Sequence, residues 1–228
     1  SCVEQLENDD SECQFWSAWC SALLGESRLS IEKLKMLAVS RGTYSEQACD
    51  LAGRCMTLEH AQAWLQELGK DHANVRLAVV FAGALGMPVL VSWLINMMTI
   101  PTLARKAGES FTNITGADFV EMELAGEEPE GFEAGPTENP EDEFVELDAD
   151  EDLPWPDVNK VAQWWADNKD KYSEHDRYLC GLPISAESLS QVISFGKQTN
   201  RHAAALELAL MSPGKPLIDV RACSINSE

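Results

Sequence analysis

Apolar residues in the first half of the chain recur every three to four positions, the period of a helix that buries one face. Cys13, Trp16, Cys20 and Leu24 make the first such stripe, and Gly25 offers a left-handed stop behind it. Ser30 stands where a cap belongs, ahead of an inner face of Ile31, Leu34 and Ala38, with Gly42 after it. Ser45 precedes Ala48, Leu51, Ala52 and Cys55, and Thr57 precedes Leu58, Ala61, Leu65 and Leu68. A fifth helix is expected from about Asp71 to Leu85, apolar nearly all round at its C-terminal end and therefore the most buried. Gly86-Met87-Pro88 then makes a corner, since Gly tolerates the left-handed end and Pro fits the first turn of the next helix. Leu90, Trp93, Leu94 and Met97 form the sixth stripe, with Trp93 expected in the core. Thr99 and Pro101 open a seventh helix, lined by Leu103, Ala107, Phe111 and Ile114.

Helix pairs restart near Ser45, Asp71 and Pro101, a period of roughly 28 residues that falls in the range of helical repeats. Periodicity alone leaves a repeat array and an irregular helical domain equally open. Past Gly116 the pattern breaks. Gly, Pro and acid dominate, yet Phe119, Phe132, Phe144 and Trp155 recur among them, so residues 117–156 are expected to run extended, pinned by aromatic anchors with carboxylates outward. Helical periodicity returns with Asp157 as a cap for Val158, Val161, Trp164 and Trp165. Tyr178 to Ile184 reads as a short strand that pairs with Leu217 to Val220. Ser185 caps a helix carrying Leu189, Val192 and Ile193, and Gln198 to Leu210 is a further Ala- and Leu-rich helix. The expected fold is mainly α: a short helical solenoid over 1–116, an acidic extended segment over 117–156 and a small α-rich module over 157–228.

Charge sharpens this division. The formal net charge is -21, and no Lys or Arg occurs between Lys106 and Lys160. Asp118 to Asp152 alone holds sixteen carboxylates. Such a surface repels nucleic-acid phosphate and steers basic partners. The 45% hydrophobic content and seven Trp are ample for a packed core. The longest apolar run is broken by Gly86 and Pro88 and reads as buried helices rather than a membrane span. Seven Cys at irregular spacing, with no CxxC, read as small buried hydrophobes of a reduced protein, so a cytoplasmic location is the expectation.

The run from Arg76 to Phe119, with its Gly86/Pro88 corner, paired helices and Ala107-Gly108-Glu109 step, resembles a HEAT-like repeat of the phycocyanobilin-lyase type. The stretches "GFEAGPTENPEDE", "DEDLPWPDVNKVAQWW", "RHAAALELAL" and "PGKPLIDVRA" are similar to the C-terminal half of an uncharacterised bacterial family. That family joins such repeats to an acidic, Pro-containing region. Some of its members lie near type VI secretion genes, so the resemblance implies an effector-handling role. The lyase name carries no chemistry with it, because many scaffolds share the repeat.

No complete catalytic motif is present. Asp148-Ala-Asp150-Glu-Asp152 starts like a calcium loop, but Leu153 and Asn159 stand where Gly and Glu are required. His60, His72, His175 and His202 form no close ligand pair. No cofactor or metal is implied. The leading reading is a protein-binding scaffold: an adaptor, chaperone or immunity protein for a basic bacterial effector. The alternatives are an enzyme with an unrecognised site, lyase-like or hydrolytic, and a structural cap of a longer solenoid. The candidate partner-binding residues are Glu141, Asp142, Glu143, Asp148, Asp150, Asp152, Trp155 and Trp165, the last as the ring of the Trp164-Trp165 pair that could serve as an aromatic anchor.

Overall fold

The computed structural model describes residues 2–132 and 148–221, and among them the fold is mainly helical. After a 3-10 turn at Val3–Glu7 come α1 (Ser11–Leu23), α2 (Ser27–Val39), α3 (Ser45–Cys55) and α4 (Leu58–Leu68). Next are α5 (Val75–Leu85), α6 (Val91–Met97) and α7 (Pro101–Thr115). Beyond the acidic region lie α8 (Val158–Asn168), a two-stranded hairpin of β1 (Tyr178–Leu179) and β2 (Leu182–Pro183), α9 (Ala186–Phe195) and α10 (Gln198–Met211). No helix among the described residues is long and apolar enough to cross a membrane.

Helices α2, α3, α5 and α7 pack side by side in sequence, each against the next. Helices α4 and α6 are the returns between members of this row, and α1 packs on α2. As its composition predicts, α5 sits deepest: every residue from Leu77 to Leu85 except Val80 is buried. The α7 stripe of Leu103, Ala107, Phe111 and Ile114 is buried as expected. Trp64 on α4 is buried too, edge-on against Phe81 with ring centroids 4.8 Å apart.

Several local expectations are corrected. The α1 stripe of Cys13, Trp16, Cys20 and Leu24 faces outward; the packed side is Phe15, Ala18, Ser21 and Ala22. Small residues win there because they let α1 and its neighbours approach closely. Ser30 lies inside α2, not at its cap, and its hydroxyl donates to the Glu26 carbonyl. In α6 the buried residues are Val91, Leu94 and Ile95, so the stripe is rotated toward the chain corner. Trp93 is half-buried and touches two core clusters rather than lying within one.

The hairpin pairs with itself, not with Leu217 to Val220: Tyr178 faces Pro183 and Leu179 faces Leu182. Its two turn residues, Cys180 and Gly181, have φ of 53° and 78°, the left-handed pair that a tight hairpin turn requires. The hairpin also closes the C-terminal ends of α5 and α7. The Tyr178 amide donates to the Gly86 carbonyl at 2.7 Å, and the Cys180 amide donates to the Asn113 carbonyl at 2.7 Å. Gly86 and Gly116 have φ of 73° and 71°, and a Cβ at either would strike the hairpin carbonyls of Tyr178 and Cys180.

The tail returns to the N-terminal helices. Helix α10 packs on α9 and reaches α1. Its Glu207, only 2% exposed, takes a proton donor from each side. Arg54 of α3 donates to it at 3.2 Å and Arg177, just before the hairpin, at 2.7 Å. Arg54 is held in turn by Asp50 through two bonds of 2.8 Å. Arg177 also donates to the carbonyls of Ala84 and Leu85 at the end of α5. Deleting one partner of a buried ionic network leaves the others desolvated and unpaired, which typically costs about 3–5 kcal/mol. Glu207→Ala is therefore expected to lower unfolding stability by that amount in urea titrations, with Glu207→Gln losing less. A loss below about 1 kcal/mol in Glu207→Ala would show that the network does not fasten the tail.

Candidate interaction surface

The row brings the N-terminal turns of three helices together. Glu46 is the second residue of α3, Arg76 the second of α5, and Arg105 and Lys106 open the second turn of α7. Arg76 Nε donates to Glu46 at 2.6 Å, and Lys106 lies 3.5 Å from Glu46 and 2.9 Å from Glu109. Three cations thus form a strip across α5 and α7, edged by two fixed carboxylates.

Residues 148–156 lie along this strip, and we call them the strap. Asp150 takes both terminal nitrogens of Arg76, at 2.6 and 2.8 Å, a two-pronged pairing that suits the planar guanidinium. Asp148 accepts from Arg105. Turns within the strap aim the two carboxylates: the Asp150 amide donates to the Asp148 side chain at 3.0 Å, and the Leu153 amide to the Asp150 carbonyl at 2.9 Å. The Arg105 guanidinium then stacks 4.5 Å from the Trp155 ring, and Phe132 meets that ring edge-on at 5.0 Å. Beyond Trp155 the backbone is tied to the 124–126 segment. Gly126 donates to the Trp155 carbonyl at 2.8 Å, Asp157 donates to the Leu124 carbonyl at 2.9 Å, and Ala125 bridges Pro156. The cap expected of Asp157 is present, its side chain accepting from the amides of Asn159 and Lys160.

The candidate residues therefore divide. Glu141, Asp142 and Glu143, and Phe144 with them, lie outside the described residues. Asp152 is exposed. Asp148 is half-buried and Asp150 is only 5% exposed, and Asp118 is half-buried and paired with Lys197, so the expectation that the carboxylates of this segment all face outward fails at these three. Trp155 is half-buried over Arg105. Trp165 is a core residue, tilted against Tyr172, so it is not an exposed aromatic anchor, and Trp164 packs edge-on to Phe111 at 5.6 Å. The residues missed were the cations. Arg105 is 8% exposed in the midst of an apolar helix face, and a basic residue beside Leu103, Ala104 and Ala107 was the available signal.

The outer side is different. Glu121, Glu123, Glu127, Glu128, Glu130, Glu151 and Asp152 are exposed, and among the described residues none of them forms an ion pair. Between α2 and α4 a groove of about 460 Å3 is lined by Ile31, Lys35, Met56, His60 and Trp64. Its Cys55 thiol is pushed up to about 12 by burial, and that of Cys180 to about 11, so both stay protonated at neutral pH. Among the described residues no three His, Cys, Asp or Glu converge as a metal site. No protein-family model matches the chain, and no curated protein or solved structure is significantly similar to it.

Burial alone would raise the Asp150 carboxyl, but the Arg76 hydrogen bonds and the charges of Arg76, Lys106 and Arg105 outweigh it and hold the group below the ordinary aspartate range. The native state then binds fewer protons here than the unfolded chain does. The stabilisation is complete above the unfolded aspartate value, about 4, and is lost as pH falls through the lower native value. Asp150→Asn should accordingly be less stable than wild type at pH 7, with the gap closing below about pH 4. Urea midpoints at several pH values test this. A gap that stays constant into acid would mean that ionisation of Asp150 does not hold the strap.

Proposed function

We propose that the protein is a protein-binding scaffold that captures a basic partner on its outward carboxylates. The observation that carries this reading is the split within one acidic region. Among the described residues its inward aspartates are neutralised, Asp148 and Asp150 by Arg76, Arg105 and Lys106 and Asp118 by Lys197, while its exposed glutamates and Asp152 form no ion pair. Charges that hold the fold together are consumed internally. The remaining ones project a negative field, and such a field raises the encounter rate with a basic protein and discourages acidic ones.

The packing of α2, α3, α5 and α7 in a row, with α4 and α6 as returns, supports reading the first half as a short HEAT-like solenoid. Solenoids present long surfaces rather than single pockets, which suits an adaptor, effector chaperone or immunity protein. The resemblance to the bacterial family with type VI neighbours favours a secreted effector as the partner.

The test has two stages. The chain is used to capture proteins from its source cells, and the kinetics of any stoichiometric partner are then followed against salt. The partner should be basic, with an association rate that falls steeply between about 50 and about 500 mM salt. Replacing Glu121, Glu123, Glu127 and Glu128 with Gln should slow association by about threefold to tenfold and leave dissociation nearly unchanged. An acidic partner, or an association rate indifferent to both changes, would overturn the proposal.

A further inference from the structure

The strip beneath the strap has a property that ordinary structural ion pairs lack. Arg76 keeps Glu46, and Lys106 keeps Glu46 and Glu109, whether or not the strap is present. Arg105 keeps nothing. Among the described residues its partners are Asp148, Trp155 and Phe132, and two of those three belong to the strap while the third packs on it. Arg105 is only 8% exposed with the strap docked, and part of that cover is the strap itself, so its departure leaves the guanidinium uncovered, without a carboxylate and open to another anion. With the strap away, three cations face two fixed carboxylates. With it docked, two further carboxylates complete the site.

The recognition is also modular. It reads two carboxylates two residues apart, one pinned by a two-pronged guanidinium, and then an aromatic ring laid over the second guanidinium. Nothing in this pattern needs the strap to belong to the same chain. We propose that the Arg76/Arg105/Lys106 strip is a binding site for an extended acidic peptide of the form Asp-x-Asp with an aromatic residue five positions after the second aspartate. Residues 148–156 are its resident occupant. The strip takes an acidic ligand and is independent of the outward surface, which takes a basic one. A tethered occupant faces the strip at an effective concentration in the millimolar range, so a free peptide succeeds only when the strap is weakened or the ligand is abundant.

The experiment uses the full chain and a fluorescein-labelled synthetic peptide with the sequence of residues 148–156, read by anisotropy. The Asp148→Asn/Asp150→Asn chain should bind the peptide with a Kd on the order of 10 µM, and wild type at least tenfold more weakly. Adding Arg105→Gln to the double variant should abolish uptake, as should replacing both corresponding aspartates of the peptide with Asn. Circular dichroism confirms that each variant is folded. If the double variant does not fold, Asp148→Asn alone serves, because its carboxylate is the more exposed of the two; it should take up the peptide with an affinity between those of the other two chains. Equal uptake by wild type and variant, no uptake by a folded variant up to about 1 mM peptide, or uptake indifferent to Arg105→Gln would each overturn the proposal.

Discussion

Glu207 is the charge on which the arrangement of the molecule turns. It comes from the last helix, yet its two oxygens are consumed by Arg54 of α3 and by Arg177 beside the hairpin. A carboxylate so deeply buried is tolerated only when every acceptor site is answered. Its geometry therefore fixes three elements at once. Arg177 extends the constraint by capping the carbonyls of Ala84 and Leu85. The tail is thereby tied to the helical row.

The acidic region solves an opposite problem. A segment so rich in carboxylates resists collapse. Among the described residues it is held not by apolar anchors alone but by three of its own charges, Asp118 on Lys197, Asp148 on Arg105 and Asp150 on Arg76. Apolar anchors assist: Phe119 and Leu124 enter the core, and Phe132 and Trp155 shelter Arg105. Among the described residues the interior face is thus selective about which carboxylates it accepts, and the glutamates and Asp152 stay at the surface.

Much of the helical order was legible. Pro101, Gly116 and a clean apolar stripe determine α7 almost by themselves, and Asp157 and Ser185 announce the helices they cap. The α1 face was misread because Cys13 and Trp16 count as apolar, whereas contact distance favours the small side chains of Ala18, Ser21 and Ala22. The hairpin turn carried its signal in Cys180-Gly181, but the strand pairing was assigned to a more distant segment. In the strap the anchor Trp155 was legible, but the choice of inward acids was not. Asp148, Asp150 and Asp152 look alike in a string of acids. Which of them is buried depends on how far apart Arg76 and Arg105 stand, and that spacing exists only once α5 and α7 have packed.

That spacing is set from the far end of the two helices. Arg76 stands ten residues before Gly86, and Arg105 eleven before Gly116. At about 1.5 Å per residue, both cations sit about 15 Å from the glycine that ends their helix. Both glycines press against one hairpin, whose carbonyls leave no room for a side chain. The hairpin therefore works as a gauge block: it aligns two helix ends, and rigid helices carry the alignment to the opposite edge. A methyl group at Gly86 would collide with the Tyr178 carbonyl, so the hairpin or the end of α5 would have to give, and any slide of α5 along α7 would put Arg76 and Arg105 out of step with the two aspartates. The grip on the acidic segment would then loosen through a residue that touches none of its charges.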